Sequence, residues 1–214
     1  MHGVNAAVEG LSDEGVVEAI AGTCGLAVAS FYGRRGKTHL LKSLPGYNAA
    51  AKFSPWLVLV DLDHDANTAS EAERIWLSDP SPLMCFNVAV PEIEAWLLAD
   101  RARVAEFLGI SPSQVPTDPE QLPDPKQTLI KLARGSRRRD IREGVAPRDG
   151  SGALVGPTYA ADLRNFGATL WRPRVAGEVA TSLAACIFRV EELAEKLSSG
   201  EQKDLRPKRW SKYR

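Results

Sequence analysis

The sequence predicts an α/β fold in which a mostly parallel four-stranded sheet is flanked by helices and followed by a helical C-terminal extension. Strand-like and helix-like segments alternate through residues 1–100, the order expected of a parallel sheet with helical crossovers. Residues 56–60 are apolar at every position, as in the central strands of parallel sheets. After Leu108, proline-rich segments and then helical patterns replace the alternation. The chain therefore combines one sheet domain with a helical remainder.

Each predicted strand is a short apolar run, and each predicted helix has apolar residues at helical spacing. Ser12 is a suitable N-cap for the first helix, because Asp13 and Glu14 follow in its first turn. Pro45 and Gly46 predict a break between two short helices in the next helical segment. The predicted strands are 4–8, 26–32, 56–60 and 84–90, and the predicted helices of this half are 12–21, 38–44, 48–52, 69–77 and one through 95–98.

The predicted organisation has three segments that differ in composition. Residues 1–108 form the α/β domain, and residues 109–157 form a connector rich in proline and glycine with one basic helix at 126–134. Residues 158–214 contain helices at 159–166 and from 176 to about 197, followed by a basic tail. We expect the helices of the last segment to pack against the sheet domain.

The composition is that of an ordinary globular chain. It has 214 residues with 44% hydrophobic and 25% charged residues, which excludes wholesale disorder. No stretch approaches the roughly 18–20 apolar residues of a membrane span, and no basic leader precedes an apolar run. The three cysteines are far apart and lack the spacing of a zinc site or a disulfide framework. We expect a cytoplasmic protein that does not contact the membrane.

The net charge of zero conceals an asymmetry between the two halves. Residues 1–100 have 13 acidic and 6 basic residues, whereas residues 101–214 have 14 acidic and 21 basic ones. A basic half with aromatic residues in its tail favours contact with nucleic-acid phosphates and unpaired bases. The candidate nucleic-acid-binding residues of this half are Arg137, Arg138, Arg139, Lys208, Arg209 and Trp210. A basic, glycine-containing loop at residues 33–37 favours phosphate contact as well and adds Arg34, Arg35 and Lys37.

Acidic residues follow three of the four predicted strands. Because parallel strands end at the same edge of a sheet, we expect their carboxylates to converge there. Strand alternation predicts that Asp61 and Asp63 face the same side. Converging carboxylates repel one another unless a hard cation is bound, and all-oxygen ligation selects Mg²⁺, Mn²⁺ or Ca²⁺ over zinc. The acids are Glu9 and Asp13 after the first strand, Asp61 and Asp63 after the third, and Glu92 and Glu94 after the fourth.

These residues carry a resemblance to a known domain. Glu9 with Asp13 after the first strand, and Asp61-Leu62-Asp63 at the end of an apolar strand, resemble the TOPRIM domain of topoisomerases, bacterial primases and OLD-family nucleases. The whole chain, including residues 94–100 and the Pro125-Lys126 segment, resembles small bacterial TOPRIM-like proteins of uncharacterised function. In the OLD-like branch the resemblance implies a two-metal nuclease site with Mg²⁺ or Mn²⁺. The matching residues are Glu9, Asp13, Asp61, Asp63, Glu94 and Lys126.

The resemblance also implies a division of roles among these residues. One ion would be held by Glu9, Asp61 and Asp13, and a second by Asp63 and Glu94, so that water is activated and the leaving oxygen stabilised. Lys126 would neutralise charge on the phosphoryl oxygens. Glu92 can face the same site, but only Glu94 matches the position in the family. The implied substrate is nucleic acid, DNA in preference to RNA, and an ATPase or defence-system partner or a homodimer fits the same resemblance.

Two other hypotheses use the same residues. In haloacid-dehalogenase-like phosphatases the first aspartate of a DxD motif is a nucleophile, but that motif usually opens the chain, whereas here a complete βαβα unit precedes Asp61. A TOPRIM-like module without catalysis could also bind nucleic acid through the basic half. A nucleotide-binding P-loop at residues 31–38 is not supported, because Phe31 stands where that motif requires glycine.

Overall fold

A computed structural model describes residues 2–200 and has an α/β fold with a four-stranded, all-parallel sheet flanked by helices. The predicted fold class, including a helical C-terminal part, is confirmed. The strand order is β2-β1-β3-β4, so β1 and β3 are central. The strands are β1 (His2–Val8), β2 (Leu26–Gly33), β3 (Trp56–Asp61) and β4 (Met84–Ala89).

The register of the sheet brings the ends of neighbouring strands together. Asn5, Ala6 and Ala7 of β1 pair with residues 56–58 of β3, and β3 pairs with β4 up to Asp61 opposite Ala89. Because all four strands are parallel, the chain leaves each of them at the same edge. This carboxyl edge is where the predicted acidic residues lie.

Helices cover both faces of the sheet. Alternate residues of a strand point to opposite faces, so β3 contributes side chains to two separate cores. Leu57 and Leu59 of β3 belong to the larger hydrophobic core, which extends through the C-terminal helices. Val58 and Val60 belong to a smaller core beneath α2 and α3. The helices are α1 (Leu11–Thr23), α2 (Lys37–Ala50), α3 (Ala69–Trp76), α4 (Ile93–Ala99), α5 (Arg101–Leu108), α6 (Pro125–Arg134), α7 (Arg139–Gly144), α8 (Tyr159–Thr169), α9 (Pro173–Gly177) and α10 (Thr181–Ser198), with short 3₁₀ helices at Pro112–Gln114 and Pro119–Gln121.

The second helical segment is one helix, so the predicted break at Pro45 and Gly46 is wrong. Pro45 lies inside α2, where it removes one backbone hydrogen-bond donor. Leu40 and Leu44 are fully buried on the face of α2 that packs on the sheet. Their burial outweighs the local cost of the proline, which sequence propensity alone does not reveal.

Two further boundaries differ from the prediction. The N-cap of α1 is Gly10, not Ser12, because the carboxylate of Asp13 accepts the backbone N–H groups of Glu9 and Gly10. The long C-terminal helix is two helices, since α9 ends at Gly177 and α10 begins at Thr181.

Helices α1 and α8 cross at two glycines. A Cβ atom on Gly15 would lie 2.0 Å from the carbonyl oxygen of Arg164, and one on Gly167 would lie 2.9 Å from the carbonyl carbon of Gly15. The two backbones can approach this closely only because both positions lack a side chain. The crossing fixes α8, from the last predicted segment, against the helix that follows β1.

The larger core contains residues from all three predicted segments, for example Val16, Ile130 and Leu163. The division at residues 108 and 157 stays a prediction about sequence character. Within residues 2–200, no helix combines the length and apolar character that crossing a membrane requires.

Candidate metal centre

The ends of β1 and β3 are joined by the side chain of Glu9. Its Oε1 accepts a hydrogen bond of 2.9 Å from the backbone N–H of Asp61 on the neighbouring strand. Burial raises the pKa of Glu9 to about 7, and the negative charges of Asp13 and Asp63 add to that effect. The hydrogen bond from Asp61 and the charge of Lys37 act in the opposite direction. Glu9 therefore lies at the edge of a strongly acidic region.

Asp61 is the last residue of β3, and its carboxylate is directed towards the start of α4. Its Oδ1 accepts the backbone N–H of Ile93 at 3.0 Å. Desolvation raises its pKa well above the ordinary value, and the charges of Asp13, Glu94 and Glu9 raise it further. The surrounding carboxylates therefore make an unpaired negative charge on Asp61 unfavourable, which is the situation that a bound cation relieves.

Glu92 and Glu94 come together with Asp61 at the beginning of α4. Both glutamates are buried, with exposed fractions of 8% for Glu92 and 1% for Glu94. Asp61, Glu92 and Glu94 each offer one carboxylate oxygen, and these three oxygens lie within 4.8 Å of one another. We call Asp61, Glu92 and Glu94 the carboxylate centre. The predicted ligand set omits Glu92. The sequence signal that could have identified Glu92 is its position two residues before Glu94. Both residues lie at the start of a helix, however, and not in an extended strand.

One buried oxygen of the carboxylate centre lacks a hydrogen-bond partner among the described residues. Glu94 Oε2 is buried and accepts no hydrogen bond from any residue in the described range 2–200. A buried carboxylate oxygen left in this way is unfavourable unless another group occupies the space in front of it. The orphaned oxygen and the all-oxygen donor set both fit a hard divalent cation.

Lys126, the predicted catalytic lysine, contacts both glutamates of the carboxylate centre. Its backbone N–H donates to Glu92 Oε1 at 2.6 Å, and its Nζ lies 3.4 Å from Glu92 Oε2 and from Glu94 Oε1. Desolvation lowers the pKa of Lys126, but the charges of Glu94, Glu92 and Asp61 outweigh it and hold the pKa above its usual range. Burial and the charge of Glu94 raise the pKa of Glu92 to about 7 despite these contacts.

Tyr159 contacts the centre from the C-terminal part of the chain. Its buried hydroxyl donates to Glu94 Oε1 at 2.7 Å. Desolvation and the charge of Glu94 raise the pKa of Tyr159 far above its ordinary range. Tyr159 cannot be identified as a site residue from the sequence, because nothing in the local pattern around position 159 points to a partner 65 positions earlier in the chain.

Asp63 lies outside the carboxylate centre. The strand ends at Asp61, Leu62 is buried, and Asp63 has a left-handed backbone with φ of 49°. The alternation that predicts Asp61 and Asp63 on one face therefore does not extend past Asp61. The exposed carboxylate of Asp63 lies 2.9 Å from Lys37 Nζ, which also contacts Asp65 at 2.5 Å and the Leu62 carbonyl at 3.2 Å. We call Lys37, Asp63 and Asp65 the lysine loop.

Asp13 is buried and already has hydrogen-bond donors on both oxygens. Oδ2 accepts the backbone N–H groups of Glu9 and Gly10 at 3.0 and 2.9 Å, and Oδ1 accepts the hydroxyl of Ser12. Desolvation raises its pKa to about 6, although these hydrogen bonds lower it in part. Asp13 therefore fixes the backbone that carries Glu9, and the roles of Asp13, Glu9 and Asp63 as metal ligands stay predictions.

Several candidate nucleic-acid-binding residues have internal acidic partners. Arg34 forms an ion pair with buried Glu14, Lys37 belongs to the lysine loop, Arg138 lies 2.6 Å from Asp140, and Arg139 lies 2.8 Å from Glu143. Arg138 also donates to the carbonyl of Phe107 at 3.2 Å. Arg35 and Arg137 are exposed. Lys208, Arg209 and Trp210 lie outside the described residues.

The carboxylate centre could hold a metal ion with oxygen ligands from β3 and the start of α4, beside a lysine and a tyrosine hydroxyl. Comparisons of the chain with protein-family models, curated proteins and solved structures found no match. The resemblance to the TOPRIM domain therefore stays a prediction.

Proposed function

We propose that this protein is a divalent-metal-dependent nuclease that hydrolyses nucleic-acid phosphodiesters at the carboxylate centre. The observation that carries the proposal is the buried, unpartnered Oε2 of Glu94 within a cluster of three carboxylates at the carboxyl edge of a parallel sheet. A bound cation relieves the repulsion within such a cluster, and Mg²⁺ and Mn²⁺ are ions that an all-oxygen donor set suits for phosphate chemistry. The TOPRIM resemblance supports the same activity.

Asp61, Glu92 and Glu94 are the proposed ligands of the ion. When bound, Mg²⁺ or Mn²⁺ lowers the pKa of a coordinated water and polarises a phosphoryl oxygen. Lys126 borders the same ligands, with Nζ 3.4 Å from Glu92 Oε2 and from Glu94 Oε1, and its proposed role is to neutralise negative charge on the substrate phosphate.

A second ion is proposed at Glu9 and Asp63. The negative charge of Asp63 contributes to the raised pKa of Glu9. In this arrangement Asp63 would exchange its contact with Lys37 for the ion, while Lys37 would keep its contacts with Asp65 and the Leu62 carbonyl. Asp13 contributes by holding the backbone of Glu9.

The proposed substrate is DNA, bound through phosphate contacts. Exposed Arg35 follows β2 at the carboxyl edge, and exposed Arg137 lies between α6 and α7. Binding through several phosphates weakens steeply with added salt, because counterions are released from the nucleic acid. An affinity that does not change between low and moderate salt would contradict this mode of binding.

The direct test is cleavage of DNA with Mn²⁺ by the wild-type protein and by Asp61→Ala. We expect Asp61→Ala to lose cleavage while its thermal melt stays cooperative, although the variant also lacks the acceptor for the Ile93 N–H. Glu71→Ala is the matched control, because the Glu71 carboxylate lies on α3 after the same strand and accepts hydrogen bonds only from Asn67 within the described range. Equal cleavage by Asp61→Ala and the wild type would refute the proposal.

The same assay separates the other two hypotheses. Hydrolysis of small phosphate monoesters without cleavage of any polynucleotide would favour the phosphatase hypothesis. Salt-dependent DNA binding without hydrolysis in Mg²⁺ or Mn²⁺ would favour a non-catalytic binding module.

A further inference from the structure

Glu94 has different surroundings at its two carboxylate oxygens. Oε1 accepts the hydroxyl of Tyr159 at 2.7 Å and lies 3.4 Å from Lys126 Nζ. Oε2 accepts no hydrogen bond from the described residues, although Glu94 is only 1% exposed. The carboxylate is thus held through one oxygen, and the other is left available.

Tyr159 is held rigidly enough to impose this arrangement. It is the first residue of α8 and only 4% exposed. The same helix crosses α1 at Gly15 and Gly167, where the two backbones are in contact. At its start, the backbone N–H of Thr158 donates to the carbonyl of Gly144. The position of Tyr159 is thus set by its burial and by the backbone contacts that fix α8.

We propose that Tyr159 is a positioning residue that orients Glu94, so that Oε2 is presented to the metal ion. The inference depends on the metal site of the proposed function and adds a residue to it from the C-terminal part of the chain. A hydrogen bond to the non-ligating oxygen of a carboxylate fixes its rotation and its donor direction. The alternative is that Tyr159 only satisfies a buried carboxylate, which would affect the stability of the fold but not the affinity for the ion.

The test is a titration of the metal-free protein with Mn²⁺, followed by the electron paramagnetic resonance signal of free Mn²⁺. Tyr159→Phe keeps the ring and removes the hydroxyl, and we expect Mn²⁺ affinity to fall by about 10- to 100-fold, as for other contacts that orient metal ligands. Thr158→Val is the matched control, because it removes a neighbouring hydroxyl that donates to Asp162 and not to the centre. Its Mn²⁺ affinity should equal that of the wild type.

A structural role alone gives a different result. The melting temperature in EDTA would then fall for Tyr159→Phe, while its Mn²⁺ affinity would match that of the wild type, and this outcome would overturn the inference. A second readout uses the wild-type protein, so it does not depend on the variant folding. Saturation with Mg²⁺ should shift the ¹³Cζ resonance of Tyr159, assigned by replacing the other tyrosines, and an unchanged resonance would also overturn the inference.

Failure of the inference and failure of the proposed function are distinguishable. A wild-type protein that binds Mn²⁺ but cleaves no nucleic acid refutes the nuclease, and the affinity of Tyr159→Phe still decides the role of Tyr159. A Tyr159→Phe protein with wild-type Mn²⁺ affinity and cleavage refutes only the positioning role. A wild-type protein that binds no Mn²⁺ refutes both.

Discussion

Asp61 and Asp63 are two residues apart in the sequence but belong to different environments. Asp61 ends a central strand, and its carboxylate lies among buried acids with a strongly raised pKa. Asp63 is in an exposed loop with a left-handed backbone and forms an ion pair with Lys37. The carboxylate centre therefore has an excess of negative charge. In the lysine loop, Lys37 partly compensates the negative charges of Asp63 and Asp65. Closeness in sequence does not make two acids part of one site when the strand ends between them.

The largest expected effect separates these two aspartates. Asp61→Asn keeps an acceptor for the Ile93 N–H but removes a charged ligand, so we expect Mn²⁺-dependent cleavage to fall by more than about 100-fold. Asp63→Asn should reduce cleavage by about tenfold or less, because its carboxylate must first leave Lys37 to contribute. Initial rates of DNA cleavage measure both. A greater loss with Asp63→Asn would reverse the comparison.

The next effect concerns the helix crossing behind the carboxylate centre. Gly15→Ala would place a Cβ atom against the Arg164 carbonyl, so we expect a loss of about 2 kcal/mol in the free energy of unfolding. Mn²⁺ affinity should also fall, because α8 carries Tyr159. Gly22→Ala in the same helix has open space around it and should be neutral or stabilising by up to about 1 kcal/mol. Denaturant unfolding of both variants checks this, and equal stabilities would contradict the close crossing.

The fold and much of the acidic edge could be predicted from the sequence for a physical reason. A buried parallel strand is apolar throughout, so the first polar residue after it lies at the carboxyl edge of the sheet. This rule predicts the positions of Glu9 and Asp61. The contacts of Tyr159 and Lys126 with Glu94 could not be derived in this way, because they depend on tertiary packing between distant segments. Asp63 lies apart from Asp61 because β3 ends at Asp61. Local sequence propensity does not determine the residue at which a strand ends.

A smaller effect is the pH dependence of the carboxylate centre. Without an ion, burial raises the pKa of Glu9 and of Glu92 to about 7, so near pH 6 both hold protons that the unfolded chain has lost. The metal-free protein should therefore lose stability as the pH rises from about 4.5 through 7. Ion binding displaces these protons, so Mn²⁺ affinity should be at least about tenfold higher near pH 8 than near pH 6. Calorimetric titrations at both pH values measure this, and a pH-independent affinity would contradict ligation at these acids.

The smallest effect is expected in the lysine loop. Lys37→Met removes contacts with two carboxylates that are about half exposed, so the free energy of unfolding should fall by less than about 1 kcal/mol. Lys126→Met should cost more, because it leaves buried Glu92 and Glu94 without their cation. Thermal melts in EDTA compare the two variants. A greater loss for Lys37→Met would show that the lysine loop, and not the carboxylate centre, holds the more critical charge.

The most direct test of the account is anomalous X-ray diffraction from crystals soaked with Mn²⁺. We predict an anomalous peak bonded to oxygens of Asp61, Glu92 and Glu94, with Glu94 ligating through Oε2 and Tyr159 still hydrogen-bonded to Oε1. A second, weaker peak at Glu9 and Asp63 would support the two-ion arrangement. A peak at the lysine loop alone, or no peak within reach of Glu94, would contradict the assignment of the carboxylate centre as the metal site.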